Sequence, residues 1–193
     1  MTTTVVVGNP KPASRTLHAA TLLATALTGG PADHTLDLVD LGPGLLGWDD
    51  PAVAEAVLTV QRSSLAVVAS PTFKASYTGL LKLFLDQFPS GTGLDGVVAV
   101  PLMLGAGPGH AMAPDLLLKP VLVELGATCP LPGLYLLDST YADGPALAGY
   151  ARRWSPVVTA LTAAGEGAHR SAHASSPAPV RTHGDAPPPG VTP

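Results

Sequence analysis

Apolar positions along the chain alternate between two spacings. The runs Thr4–Val7, Leu65–Ala69 and Gly96–Leu104 are continuous and rich in Val, Leu and Ala, as strands covered on both faces are. Between them, Ser14–Leu27 sets Leu17, Ala20, Leu23, Ala24 and Leu27 at helical spacing. His34–Leu41 sets Leu36, Leu38 and Leu41 against Thr35, Asp37 and Asp40, the pattern of a half-exposed strand near a sheet edge. A loop over Gly42–Asp50 then leads into a helix to about Arg62, with Asp50 as N-cap and Pro51 in the first helical position. Further helices are predicted over Tyr77–Phe88, Ala111–Leu125 and Ala146–Ala164, with Tyr150, Trp154, Val157, Val158 and Leu161 facing inward on the last. Pro120 should kink or divide the second of these, and Pro130 and Pro132 should make the start of a fifth strand, Thr128–Leu137, irregular. Strand and helix alternate throughout, which predicts an α/β fold with a mostly parallel sheet.

One helix stands out. In Tyr77–Phe88, Leu80, Leu81, Leu83, Phe84, Leu85 and Phe88 cover more than one face, so a surplus apolar face and a subunit interface are expected there. Composition adds limits. The 193 residues are 46% hydrophobic, enough for one domain with a full core, expected over 1–165. Past Gly165 the sequence turns to Ala, Ser, Pro, His and Gly without apolar period, so 166–193 is expected to be a disordered tail, whose His169, His173 and His183 match no metal spacing. The formal charge of −4 argues against a nucleic-acid partner. Apolar runs fall short of the roughly 20 residues of a membrane span, and Met1 is not followed by a basic signal region, so a cytoplasmic protein is expected. The single Cys129 excludes an internal disulfide and fits a packing role.

Candidate chemistry gathers at three strand-to-helix turns, which an open α/β sheet brings together at the carboxyl ends of its strands. Gly8 to Thr16 lacks both the dinucleotide fingerprint and the nucleoside-triphosphate loop, yet it places Ser14, Arg15 and Thr16 at a helix start, where N–H groups, hydroxyls and a guanidinium can surround one phosphate. The second turn, Ala69 to Gly79, is stiffened by Pro71. In the third, Gly105-Ala106-Gly107-Pro108-Gly109-His110 is almost bare of side chains, so a flat ring could approach its backbone. No turn carries a nucleophile–base pair, a catalytic carboxylate pair or a metal-ligand cluster. Such a pocket suits a cofactor that does its own chemistry, and flavin mononucleotide (FMN) fits best.

These residues carry a resemblance. Gly8 with Pro10, Ser14-Arg15-Thr16, the run Ser70 to Lys82 with Asp86, Gly105 to His110, and Leu118-Lys119-Pro120-Val121-Leu122 together resemble NADPH-dependent FMN reductases, above all the flavin-supplying component of two-component alkanesulfonate monooxygenase systems. The likeness spans about residues 4–160. It implies a flavodoxin-like doubly wound, five-stranded parallel sheet in the order 2-1-3-4-5 with helices on both faces. It also implies a homodimer or homotetramer that reduces FMN with NADPH or NADH, by hydride transfer to flavin N5, and hands the product to a flavin-dependent monooxygenase. By position, Ser14, Arg15 and Thr16 would hold the phosphate. Pro71, Thr72, Phe73 and Lys74 would border the ring from the second turn, and Gly105, Ala106, Gly107 and His110 from the third, with Gly105, Ala106 and His110 positioning it. Phe73 stands where relatives often carry Tyr, and Leu116 where alkanesulfonate-type members insert an aromatic residue or His in the helix. The same residues leave two other readings open: an FMN-containing quinone, azo or metal reductase with a prosthetic flavin, and a flavodoxin-type electron carrier.

Overall fold

The computed structural model describes the backbone of residues 1–174 and side chains through 164. Five parallel strands form one sheet: β1 (Thr3–Val7), β2 (His34–Asp37), β3 (Leu65–Pro71), β4 (Val98–Gly105) and β5 (Leu134–Leu137). Their order is β2-β1-β3-β4-β5, as the resemblance implies. The helices are α1 (Arg15–Thr28), α2 (Pro51–Gln61), α3 (Gly79–Leu85), α4 (Lys119–Glu124) and α5 (Pro145–Ala174). Because successive side chains of a strand point to opposite faces, the central strands feed two cores. Val5, Val7, Val67, Val100 and Leu102 pack under α1 and α5, whereas Val6, Ala66, Val68, Ala99 and Met103 pack with Val53 and Val60 of α2, Phe84 of α3 and Leu122 of α4.

Capping follows the sequence closely. The Ser14 hydroxyl accepts from the N–H of Leu17, Asp50 accepts from those of Ala52 and Val53, and Thr78 accepts from that of Leu81. Gly29 closes α1 in a left-handed conformation at φ 80°.

Other boundaries differ from expectation. β2 stops at Asp37 rather than Leu41, since β1 offers no residue beyond Val7 to pair with it. Leu38–Leu46 instead winds as 3-10 turns, kinked at Gly42, and inserts Leu38 and Leu45 into the core. That segment alters the picture of α3. Leu81, Phe84, Leu85 and Phe88 are buried within the chain itself, leaving Leu83 as the exposed large apolar residue of this helix, so the expected surplus face is not found here. Large apolar side chains are exposed instead at Leu46 and Trp48 and, over 112–123, at Met112, Leu116, Leu117 and Val123.

The expected helix over 111–125 is divided. Pro114–Leu118 forms a π-helical turn, in which Lys119 N–H reaches the Pro114 carbonyl, and α4 follows with Pro120 in its first turn, where the missing N–H has no helical partner to lose. This π-turn forms with Leu116 in place of the inserted aromatic residue or His. The ladder of β5 begins only at Leu134, past Pro130 and Pro132; before it, Thr128 makes an isolated bridge to Val98. α5 is continuous beyond Ala164 to Ala174, and the rest of the predicted tail, 175–193, lies outside the described residues. No helix among the described residues is long and apolar enough to cross a membrane.

Candidate ligand cavity

A cavity of about 390 Å³ opens at the carboxyl edge of the sheet. All three predicted turns line it, through Ser14, Arg15 and Thr16, through Pro71, Thr72 and Phe73, and through Gly105 and Ala106. Its volume lies in the range of about 300–1,000 Å³ usual for small-molecule sites.

At one end stands the start of α1. The N–H groups of Arg15 and Thr16 belong to the first helical turn and have no intrahelical acceptor. Ser14 Oγ accepts from Leu17 N–H at 3.2 Å, and Thr16 Oγ1 accepts from Asn9 Nδ2 at 3.0 Å. Their acceptor sides are thus engaged while both hydroxyl protons remain to be donated. Lys11 lines the same end, and Arg15 reaches over it, its side chain 63% exposed. The loop is held in a demanding conformation, with Ala13 in the left-handed region at φ 49°. Asp37, at the end of β2, has its pKa raised chiefly by burial, with Asp40 adding to the rise and the backbone N–H groups of Ala13 and Val39 opposing it. Converging N–H groups, hydroxyls and cations suit a phosphate or a similar anion.

The second turn is built by hydrogen bonds that tie it to the first and third. Gly8 N–H donates to the Ala69 carbonyl at 2.9 Å, and Thr78 Oγ1 donates back to the Gly8 carbonyl. Ser70 is fully buried; its Oγ receives Thr78 N–H at 3.0 Å and donates to the Pro71 carbonyl at 2.9 Å. Thr72 N–H donates to the Leu104 carbonyl at 2.6 Å. Phe73 and Ser76 then exchange backbone hydrogen bonds at 2.9 and 3.1 Å around Lys74 and Ala75, at φ 50° and 70°. Two consecutive residues of positive φ make a tight reversal that favours Asn or Gly, and L side chains there carry strain of about 1 kcal/mol or more each. Strain of this size at a cavity rim is retained where the surroundings hold the turn in shape.

The third turn forms a bare wall. A Cβ on Gly105 would stand 1.9 Å from Tyr135 Oη, so only glycine fits where the strand meets that ring. Tyr135 in turn donates to the Gly107 carbonyl at 2.7 Å. Against this wall, Thr72 Oγ1 is buried without a hydrogen-bond partner. A buried hydroxyl with no protein partner is costly unless a ligand or water meets it, and this one stands at the cavity.

Three predicted residues lie elsewhere. Lys74 sits at the tip of the reversal, outside the cavity lining. Gly107 is turned away to serve Tyr135. His110 lines a neighbouring apolar hollow of about 280 Å³ with Ala75, Met112, Leu116 and Leu117. Conversely Asn9, Lys11, Ala13, Leu104 and Asp138 line the cavity without having been singled out. Asp138 follows β5, so the carboxyl-end rule, extended to the fifth strand, would have found it. Cys129 stands apart from the cavity, and burial pushes its thiol up to about 11, which keeps it protonated and unreactive near neutrality.

Fold and cavity define a flavodoxin-like α/β protein with a candidate small-molecule cavity at the carboxyl edge of its sheet. The model of the NADPH-dependent FMN reductase family matches residues 1–142, and the chain belongs to that family. Among curated relatives, an FMN reductase (NADPH) of Escherichia coli strain K12 is 38% identical over 96 residues, half of each chain. An NADH-dependent FMN reductase of Pseudomonas fluorescens is 33% identical over 141 residues, 67% of this chain and 73% of the relative. The chain thus spans about half the length of the E. coli relative in the matched region. Among solved structures, the apo form of an NADH:FMN oxidoreductase aligns with TM-score 0.72 and 28% identity over 84% of this chain and 89% of its own.

Proposed function

We propose that this chain is an NAD(P)H-dependent FMN reductase whose flavin lies in the cavity between the three turns, phosphate toward α1 and ring toward Gly105. The observation that carries the reading is the convergence of an anion cradle, an unpartnered Thr72 hydroxyl and a side-chain-free wall on one cavity of suitable volume. Family membership supports the same reading.

When bound, the flavin would accept hydride at N5 from a reduced nicotinamide, so no protein acid, base or metal need take part. The residues bind and orient. Arg15, Lys11 and the hydroxyls of Ser14 and Thr16 hold the phosphate. Pro71, Thr72 and Phe73 border the ring on one side and Gly105 and Ala106 on the other. The N–H groups of the third turn would favour negative charge on the ring. Relatives bear both NADPH and NADH in their names, so the proposal extends to either nicotinamide. Delivery of reduced flavin to a flavin-dependent monooxygenase is the fate that the resemblance to alkanesulfonate-system reductases suggests. The exposed Met112, Leu116, Leu117 and Val123 favour a homodimer or homotetramer formed over that face.

The test is oxidation of NADPH and NADH under argon by desalted protein, with and without added FMN. Consumption of free FMN in proportion to nicotinamide supports the reading. Yellow protein that bleaches once and waits for a quinone or similar acceptor replaces it with a prosthetic-flavin reductase. Arg15→Ala should weaken FMN binding by about ten- to hundredfold, the scale of a charged hydrogen bond, and riboflavin much less. Equal loss for both flavins would remove the phosphate assignment.

A further inference from the structure

Arg15, the cation assigned to the phosphate, is not free. Its Nη2 lies 3.3 Å from Asp138 Oδ2, and its Nη1 donates to the Asp138 carbonyl at 3.2 Å. Asp138 lines the same cavity and is set in place from several directions. Its N–H donates to the Gly105 carbonyl at 3.0 Å, and the turn that follows closes through Thr140 N–H to Leu137 and Gly144 N–H to Thr140. His18 Nδ1 and Tyr141 Oη, 3.0 Å apart, join that turn to α1. The backbone that carries the carboxylate is therefore fixed at the rim of the cavity, and Arg15 holds the carboxylate itself. The charged side chains lining the cavity are then two cations, Lys11 and Arg15, and one acid.

Resting on the flavin reading, we infer that Asp138 is a release element: it competes with the flavin phosphate for Arg15 and so shortens the residence of a phosphorylated flavin. A phosphate monoester carries about −1.5 to −2 charge near neutral pH and takes a guanidinium best through two parallel hydrogen bonds. To reach that arrangement it must draw Arg15 from a carboxylate whose side chain is only 31% exposed, and must then lie beside that negative charge. Like charges in one partly enclosed site raise the free energy of the bound state. Changes of affinity within one site are expressed mainly in dissociation rates, so the cost appears as faster release. A reductase whose flavin is a passing substrate gains from such a residue.

A different role for Asp138, that of aiming Arg15 at the phosphate, predicts the opposite sign. The experiment titrates FMN and riboflavin into wild-type, Asp138→Asn and Arg15→Ala proteins, following flavin fluorescence without nicotinamide, and measures dissociation by stopped flow. Asp138→Asn should bind FMN about tenfold more tightly, mostly through slower release, with riboflavin almost unchanged. Asp138→Ala should move in the same direction, which removes any contribution from a new amide hydrogen bond. Unchanged or weaker FMN binding in both variants overturns the inference while the phosphate reading stands, provided Arg15→Ala still distinguishes FMN from wild type. If Arg15→Ala binds FMN as wild type does, the phosphate reading fails and the inference falls with it.

Discussion

The two sides of the cavity are made in different ways. On the side of β1 and β3, Gly8, Ser70 and Thr78 form a connected set of hydrogen bonds, in which Ser70 and Thr78 are buried and partnered, and Thr72 Oγ1 is the group left over. On the side that follows β4, the chain past Gly107 is held chiefly by Tyr135 and a turn from Ala111 to Pro108, and it leads into the exposed Met112, Leu116 and Leu117. One side is finished by the chain alone. The other leaves apolar surface open to whatever covers it. The difference teaches that fixed hydrogen bonding is invested beside the proposed phosphate end of the cavity, while apolar surface borders the open side.

The comparison can be broken most sharply at Gly8. A Cβ there would stand 2.4 Å from Leu81 Cβ and 2.9 Å from its Cα, with backbone on both sides unable to retreat. Gly8→Ala should therefore cost about 3 kcal/mol in urea unfolding, the upper range for overpacking, and disturb both turns at once. A loss well under this would mean that the hydrogen-bonded side yields as readily as the other. Thr78→Val comes next. It keeps the shape but leaves the Gly8 carbonyl and Leu81 N–H without their partner, for an expected cost of about 2 kcal/mol. The smallest effect on folding belongs to the open side. Leu116→Ser, at a position 64% exposed, should change the stability of the dissociated chain by less than about 0.5 kcal/mol. Sedimentation velocity should nonetheless show weaker self-association, and a destabilisation as large as that of Thr78→Val would erase the contrast between the two sides.

How far the sequence could be read depended on the range of the interactions involved. Caps at Ser14, Asp50 and Thr78 act within three residues, and the first two were recognisable from residue type and position. The division of the helix near Pro120 was legible for the same reason, although a π-turn rather than a simple kink accomplishes it. The fate of the apolar side chains of α3 was not. Periodicity shows how many faces of a helix are apolar, but the cover over them came from Leu38 and Leu45, about forty residues earlier, in a segment that reads as the end of a strand and the start of a loop. His110 and Lys74 were credited to the cavity because they share a turn with residues that do line it. Turn geometry aimed them elsewhere, Lys74 through its positive φ and His110 into the apolar hollow.

By itself the sequence determined the strand and helix alternation, the three turns and the chemistry gathered there, because periodicity, capping and proline act over a few bonds. The tertiary structure alone decided which apolar faces are covered, where β2 loses its neighbour, and that Asp138 meets Arg15 across 123 residues. Those outcomes depend on which distant segments share space, and a local pattern carries no record of that.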